Sequence, residues 1–206
     1  SHSHADHWGG VRGIVDEADV RAGKVEVIAP RDFMIFTVSE NVYAGNAMNR
    51  RLSYQYGQQL DIHPNGFAGQ GLGHRVSFGV PGLIAPTHVV EDDIEYLDVD
   101  GVRMVFQNTP NTEAPSEMNT YIPEMKTLWM AENISANMHN IYTLRGALVR
   151  DALAWSKYIA QALYLFGTEA EVMITAHHWP RWGNDRIQEI MRAQRDMYAH
   201  LNNQVL

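Results

Sequence analysis

The order of apolar and polar positions divides the chain into short strands and a few helices. Ile94 to Asp98 and Val102 to Gln107 are strand-like runs on either side of Asp100-Gly101, a dipeptide suited to a tight hairpin turn. Thr127 to Ala131 and Glu171 to Ala176 are short apolar stretches of the kind found in buried strands, and Lys24 to Ala29 forms another strand after Gly23. From Ile141 to Phe166, the residues Leu144, Leu148, Trp155, Ile159 and Leu163 recur on one helical face, and Gly167 closes the run. Val11 to Ala18 predicts a short helix, and Phe33 to Tyr56 has helical composition up to Gly57. Asp185 to Asn203 predicts a closing helix with Asn184 placed as its cap. Asp61 to Pro86 is rich in Gly and Pro and too long for a plain connector, so it reads as a functional loop packed by its own side chains. No internal repeat is visible. Strands alternating with helices predict an α/β layered fold.

Composition narrows the range of functions. With 206 residues, 45% hydrophobic and 19% charged, the chain can bury a sizeable core. Its net charge of -8, from 16 Lys+Arg against 24 Asp+Glu, argues against nucleic acid or an anionic membrane as partner. An anionic substrate remains compatible, because a metal centre can reverse the local field. There is no cysteine, so a metal site must be built from His, Asp and Glu, which suits Zn²⁺ or a similar divalent ion. No apolar run approaches the ~20 residues of a membrane helix.

The densest chemistry lies at the start, in His2-x-His4-x-Asp6-His7. In an extended segment His2 and His4 share a face, and a following turn can swing Asp6 and His7 toward a neighbouring position. One metal ion would then take the two histidines and a second the Asp-His pair. A tag is the plain alternative, but tags are usually unbroken His runs, and here Ser, Ala and Asp intervene. Domains seldom begin inside their own active site, so the chain reads as a piece whose upstream part is missing. That would leave His2 without a preceding strand to fix its direction. Any signal peptide would also lie upstream of Ser1, which leaves the compartment open, with a periplasmic or secreted location favoured over the cytoplasm.

This pattern resembles the HxHxDH signature of the metallo-β-lactamase superfamily, and Gly9-Gly10 is similar to its turn into a first helix. Three later segments can supply further ligands: Gln107 to Pro115, Trp129 to Asn133 and Thr175 to Gly183. Within them TPNTEAPSEM and AEN, together with MHNIYTLRGALVRD and HHWPRWG, resemble the alkyl sulfatases of that superfamily, which use Glu where most members use His and Asp. The resemblance implies an α/β four-layer αβ/βα sandwich, lacking its N-terminal part and closing with a C-terminal helix. Residues 1–183 would be the partial catalytic domain, and 184–206 a helix leading toward a helical dimerisation domain absent from this sequence.

By position, the resemblance implies two Zn²⁺ ions. His2, His4 and Glu113 hold one, while Asp6, His7 and His177 hold the other. Glu132 and a hydroxide or water bridge the pair, and Asp6 and Glu132 serve as the catalytic carboxylates. Adjacent strand-end residues point opposite ways, so one of His177 and His178 should face the metals, and His177 matches the family position. His139 and Arg145 could orient ligands or bind sulfate oxygens, Arg being suited to a tetrahedral oxyanion. The same residues could equally hold the fold at a helix start. His63 and His74 read as surface residues, and Trp155 and Met173 as core. Phe67, Leu72 and Phe78 are candidates for an apolar trough.

The implied activity is hydrolysis of an alkyl sulfate ester to alcohol and inorganic sulfate, in an enzyme expected to dimerise. The alternatives are a superfamily hydrolase acting on a lactone, thioester or phosphodiester, or a piece that does no catalysis.

Overall fold

In the computed structural model, which describes residues 1–67, 69 and 79–205, the strands fall into two sheets. β1 (Ile28–Pro30) and β2 (His88–Val90) form a small parallel pair. The larger sheet follows chain order: β3 (Ile94–Val99), β4 (Val102–Asn108), β5 (Met118–Ile122), β6 (Thr127–Trp129), β7 (Val172–Ile174) and β8 (Arg181–Trp182). All its neighbours are antiparallel except β6 and β7. The predicted hairpin forms at β3–β4. Asp100 and Gly101 take φ of 52° and 79°, the left-handed pair that a two-residue turn requires, and Asp98 accepts the Gly101 N–H at 2.9 Å.

Five α-helices accompany the sheets: α1 (Glu17–Arg21), α2 (Phe33–Val38), α3 (Gly45–Gln55), α4 (Ala152–Ala162) and α5 (Asn184–Val205). The expected Val11 to Ala18 helix is instead a 3₁₀ turn at Val11–Gly13 followed by α1, because the Asp16 carboxylate caps Ala18 N–H and starts a new helix there. The Phe33 to Tyr56 stretch is interrupted by a π turn at Ser39–Tyr43, and Gly57, at φ 61°, stops it as expected.

Period-two alternation gives the sheet two covered faces. Val105 and Tyr121 sit opposite one another and point, with Leu128 and Met173, toward α4 and α5. Phe106 and Met118 point the other way and pack on Val90 of the small sheet, with Ile28, Leu97 and Met104 at the edge. The layers are therefore helices, six-stranded sheet and small sheet. Trp155 of α4 stacks on Tyr198 of α5, ring centroids 4.2 Å apart, and Ile159, Ile187 and Met191 complete a fully buried seam. As expected, Trp155 and Met173 are core. Asn184 begins α5, but its amide donates to the carbonyls of Gly167 and Ala170 and ties the helix to the turn before β7. Among the described residues no helix is long and apolar enough to cross a membrane.

The predicted Ile141 to Phe166 helix is only half present. Helix α4 starts at Ala152, because Asp151 is extended (φ -89°, ψ 100°) and its carboxylate accepts the Ala154 N–H at 2.9 Å. Residues 141–150 form a loop in which Gly146 sits at φ 94° and Arg150 N–H bonds the Ile141 carbonyl. Leu144 and Leu148 are consequently exposed, while Trp155 and Ile159 are fully buried. Replacing Asp151 by Ala removes the cap and is expected to destabilise the protein by about 1 kcal/mol. Tm should fall by roughly 2–4 °C, and an unchanged thermal melt would show that the cap does not set this boundary.

Candidate metal centre

The histidine-rich start is anchored by pairing. Met118 N–H bonds the Ser1 carbonyl at 2.9 Å, Ser3 N–H bonds the Ser116 carbonyl at 3.1 Å, and His2 lies opposite Glu117 in an antiparallel bridge. The chain just before β5 thus supplies the direction that His2 was expected to lack. His4 is also extended (φ -74°, ψ 145°), and a 3₁₀ turn at Ala5–His7 then swings Asp6 and His7 around. Gly9 N–H closes this turn on the Ala5 carbonyl at 2.7 Å, and a Cβ on Gly9 would lie 2.6 Å from that same oxygen, so the position admits glycine alone.

The other members arrive at strand ends. Glu113 sits in the loop between β4 and β5, which is closed by Thr112 Oγ1 on the Thr109 carbonyl at 2.6 Å and shaped by Asn111 at φ 62°. Glu132 follows β6 directly after Ala131, whose φ of 46° is unusual for a residue with a Cβ. Ala176 N–H bonds the Ala131 carbonyl at 2.8 Å, and this links the Glu132 turn to His177 after β7.

These residues make two groups, His2, His4, Glu113 and Glu132 in one and Asp6, His7 and His177 in the other, with the candidate atoms of each group within 4.8 Å of one another. Glu113 Oε2 lies 3.2 Å from His2 Nε2 and 2.8 Å from His4 Nδ1. Glu132 Oε2 is 3.2 Å from His2 Nε2 and 3.1 Å from His7 Nε2, and its Oε1 is 3.2 Å from His177 Nε2. Asp6 Oδ2 is 3.2 Å from His7 Nε2 and 3.5 Å from His177 Nε2. Donors around a four-coordinate ion with bonds of about 2.0–2.2 Å lie about 3.3–3.6 Å apart, close to this spacing. Among the described residues, Nε2 of His2, His7 and His177 and Oε2 of Glu113 are buried without a hydrogen-bond partner. Buried polar atoms are nearly always satisfied, so lone pairs converging in this way fit a cation, and the buried His/Glu group can hold a metal ion.

The electrostatics agree with that fit. Burial alone would raise Glu132, yet the imidazoles of His139, His177, His2 and His7 hold its carboxyl well below the usual range. Burial likewise opposes ionisation of Glu113, and the His4 charge overcomes it and lowers the carboxyl. His2 is pushed down to about 4 by burial. His7 rises to about 10 despite burial, because the carboxylates of Asp6 and Glu132 stand 3.2 and 3.1 Å from its Nε2, and His4 is raised against its own burial by Glu113.

All seven residues expected as ligands meet here. His178 does not join them: its Nδ1 accepts the Ala136 N–H at 3.1 Å and faces away. His139 does, with Nε2 3.4 Å from Glu132 and 3.6 Å from Glu113. Arg145 is half-buried near the rim. Its backbone N–H is bound by Gln55, its charge opposes protonation of His4, and its guanidinium makes no ion pair among the described residues. His63 is exposed as expected, and Phe67 is half-buried. His74, Leu72 and Phe78 lie outside the described residues.

Two contributors went unnoticed in the sequence. Buried Arg150 donates from Nη2 to Glu113 Oε1 and from Nε to the Glu113 carbonyl, and Nη1 holds the Asn140 carbonyl at 2.9 Å. It occupies one Glu113 oxygen and leaves Oε2 for the histidines. Glu117, wholly buried, takes hydrogen bonds from the loops of Glu113 and Glu132. Arg150 sat inside an apparent helix, and Glu117 lies four residues from Glu113 in one loop, so neither stood out by type or spacing.

Comparison with known proteins places this geometry among relatives. A family model described as the metallo-beta-lactamase superfamily matches residues 1–177. Over its full length the chain is 49% identical to the alkyl/aryl-sulfatase BDS1 of Saccharomyces cerevisiae and 50% identical to a linear primary-alkylsulfatase of a Pseudomonas species, covering 32% and 31% of them. Among solved structures it is similar to the stereoselective inverting sec-alkylsulfatase Pisa1 from a Pseudomonas species. The TM-score is 0.95 with 48% identity, over 99% of this chain and 32% of that one. The chain thus spans about a third of the length of the curated relatives it matches.

Because His4 and His7 are raised in the metal-free protein, each must give up a proton before its nitrogen can bind an ion. Adding a divalent metal at pH 7 is therefore expected to release protons. Apparent affinity should rise with pH through neutrality and level off only as pH passes the raised His7 value of about 10. Calorimetric titration in buffers of different ionisation enthalpy counts those protons, and a count of zero would contradict the placement of these imidazoles against carboxylates.

Proposed function

The chain belongs to the metallo-β-lactamase superfamily, and from that premise we propose that it forms the metal-binding part of an enzyme that hydrolyses alkyl sulfate esters. One observation carries the reading. Glu113 and Glu132 occupy the positions where four histidines and an aspartate converge, so that the centre is richer in carboxylate than a set of histidines and one bridging Asp would be. The relatives that share about half of this sequence along its whole length are alkyl sulfatases. The paired glutamates count against the lactone, thioester and phosphodiester alternatives.

In this proposal His2, His4 and Glu113 hold one Zn²⁺, Asp6, His7 and His177 hold a second, and Glu132 lies between them. Bound there, the two ions supply Lewis acidity that makes water a nucleophile near neutral pH and offsets the negative charge gathering in the transition state. The chain's own residues do the rest. Asp6, the one exposed member of the cluster, and Glu132 orient the attacking water and accept its proton. Arg145 is the cation for the sulfate oxygens. His139, placed between Glu113 and Glu132, steadies both carboxylates against the incoming anion. Arg150 keeps Glu113 turned so that a single oxygen faces the histidines.

The reaction consumes one water, breaks the ester and yields an alcohol and inorganic sulfate. In the whole enzyme the layers described above belong to a four-layer αβ/βα sandwich, and 184–206 leads to a helical domain through which two copies pair.

The test begins with zinc stoichiometry. Calorimetric titration is expected to give two zinc ions per chain and fewer in Glu132→Gln. The full-length zinc-loaded protein should then release sulfate from medium-chain alkyl sulfates, with Glu132→Gln slowed at least ~100-fold. Lactone, thioester and phosphodiester controls should stay intact. Zinc binding without sulfate release in the full-length protein would sink the substrate assignment and leave the metal centre standing.

A further inference from the structure

We propose that Glu117 is a positioning residue whose single carboxylate fixes the aim and separation of both glutamates of the metal centre. The inference rests on the reading of Glu113 and Glu132 as ligands. Glu117 belongs to neither donor group. Its side chain is wholly buried, and no Lys or Arg pairs with it among the described residues. A bare carboxylate at such a place is costly unless its oxygens find partners, and although burial and the charges of Glu113 and Glu132 raise it to about 7, both oxygens have them. Oε1 accepts the backbone N–H of Glu132 at 2.9 Å. Oε2 accepts the Ala114 N–H at 3.1 Å and lies 2.8 Å from Thr112 Oγ1, whose single proton it shares with the Thr109 carbonyl.

One oxygen therefore holds the turn after β6, and the other holds the residues on both sides of Glu113. The Glu117 carbonyl accepts the Thr109 N–H at 2.8 Å, and its neighbours Ser116 and Met118 bond Ser3 and Ser1 on either side of His2. Glu117 thus connects the turns that deliver Glu113 and Glu132, at the point where the chain also pairs with the His2 segment.

The turn that carries Glu132 also needs such a hold. Ala131 at φ 46° occupies the left-handed region, which alanine adopts only when its surroundings enforce it, while Asn111 at φ 62° takes it readily. If the Glu132 N–H lost its acceptor, the turn at Ala131 would be free to relax and the Glu132 carboxylate would swing away from His7 and His177. Relaxation on the Thr112–Ala114 side would move Glu113 away from His2 and His4. A glutamine at 117 has almost the same shape but keeps one acceptor oxygen and turns an NH₂ toward N–H donors on the other side. It should loosen one turn or the other without leaving a cavity.

The decisive experiment is cobalt(II) titration of Glu117→Gln, followed by visible ligand-field absorption. Cobalt affinity is expected to fall about 10–100-fold, with band positions shifted relative to the parent, while far-UV circular dichroism stays unchanged. Val20→Ala, a buried variant on α1 outside the core beneath α4 and α5 and outside both donor groups, controls for destabilisation and should keep the parent spectrum. If Glu117→Gln does not fold, Glu117→Asp keeps the charge but shortens its reach to both turns and should move affinity and spectrum the same way. Parent-like affinity and spectrum in whichever of these variants folds would overturn the positioning role and spare the metal centre. Failure of the parent itself to bind cobalt would overturn both.

Discussion

Three carboxylates, those of Asp6, Glu113 and Glu132, share a space with five imidazoles, and water reaches little of it. Buried anions at this density repel one another strongly and must be matched by cations, whether imidazolium, guanidinium or metal. That requirement governs much of the surrounding structure. It explains the presence of buried Arg150 and the raised pKa of His4 and His7 without metal. It also explains why, among the described residues, nitrogens of four separate histidines are left without hydrogen bonds while facing carboxylate oxygens. Proton and metal ion are competing solutions to one charge problem, and an ion of charge two satisfies it with fewer ordered protons.

The same requirement overrides local propensity. Residues 141–150 have an apolar spacing that a helix could use, yet a helix there would carry Arg150 away from Glu113. Four hydrogen bonds from the guanidinium, two to Glu113 and two to Asn140, hold the segment as a loop and leave Leu144 and Leu148 exposed. The cation was retained at the expense of two leucines. Asp151 then starts α4 at the first position where no ligand-holding residue remains.

How much was legible follows from how local each signal is. The His2–His7 motif needs only period two and one turn, so its geometry could be read directly, and the β3–β4 hairpin is announced by Asp100-Gly101. The β5 strand was hidden because its central residues Asn119 and Thr120 are polar yet buried. Asn119 spends its amide on Gln107, which in turn reaches Gln161 of α4, a cross-sheet network that no alternation pattern encodes. The choice between His177 and His178 rested on strand parity, which gives opposite directions but not which one faces inward. The structure groups His177 with Asp6 and His7, while the loop at Ala136, 41 residues earlier than His177, binds His178. Glu113 and Glu117 are the same residue type in one loop, and they differ only in which partners the folded chain brings to each.

The helical layer does more for the centre than fill space. The loop from Asn133 to His139 carries no regular structure, and it is pinned from behind: Trp155 Nε1 donates to the Asn133 carbonyl at 2.9 Å, and Gln194 of α5 accepts from Ser135 N–H and donates to the Ser135 carbonyl. Trp155 is itself held by its stack on Tyr198. A line of contact thus runs from α5 through α4 to the loop that bears Glu132 and His139. Pre-organising ligands by packing lowers the ordering cost at binding, so core and centre are thermodynamically linked. A metal ion bound there would stabilise the fold by holding the turn that strain at Ala131 would otherwise open, and the fold would strengthen metal binding by keeping that turn closed before the ion arrives.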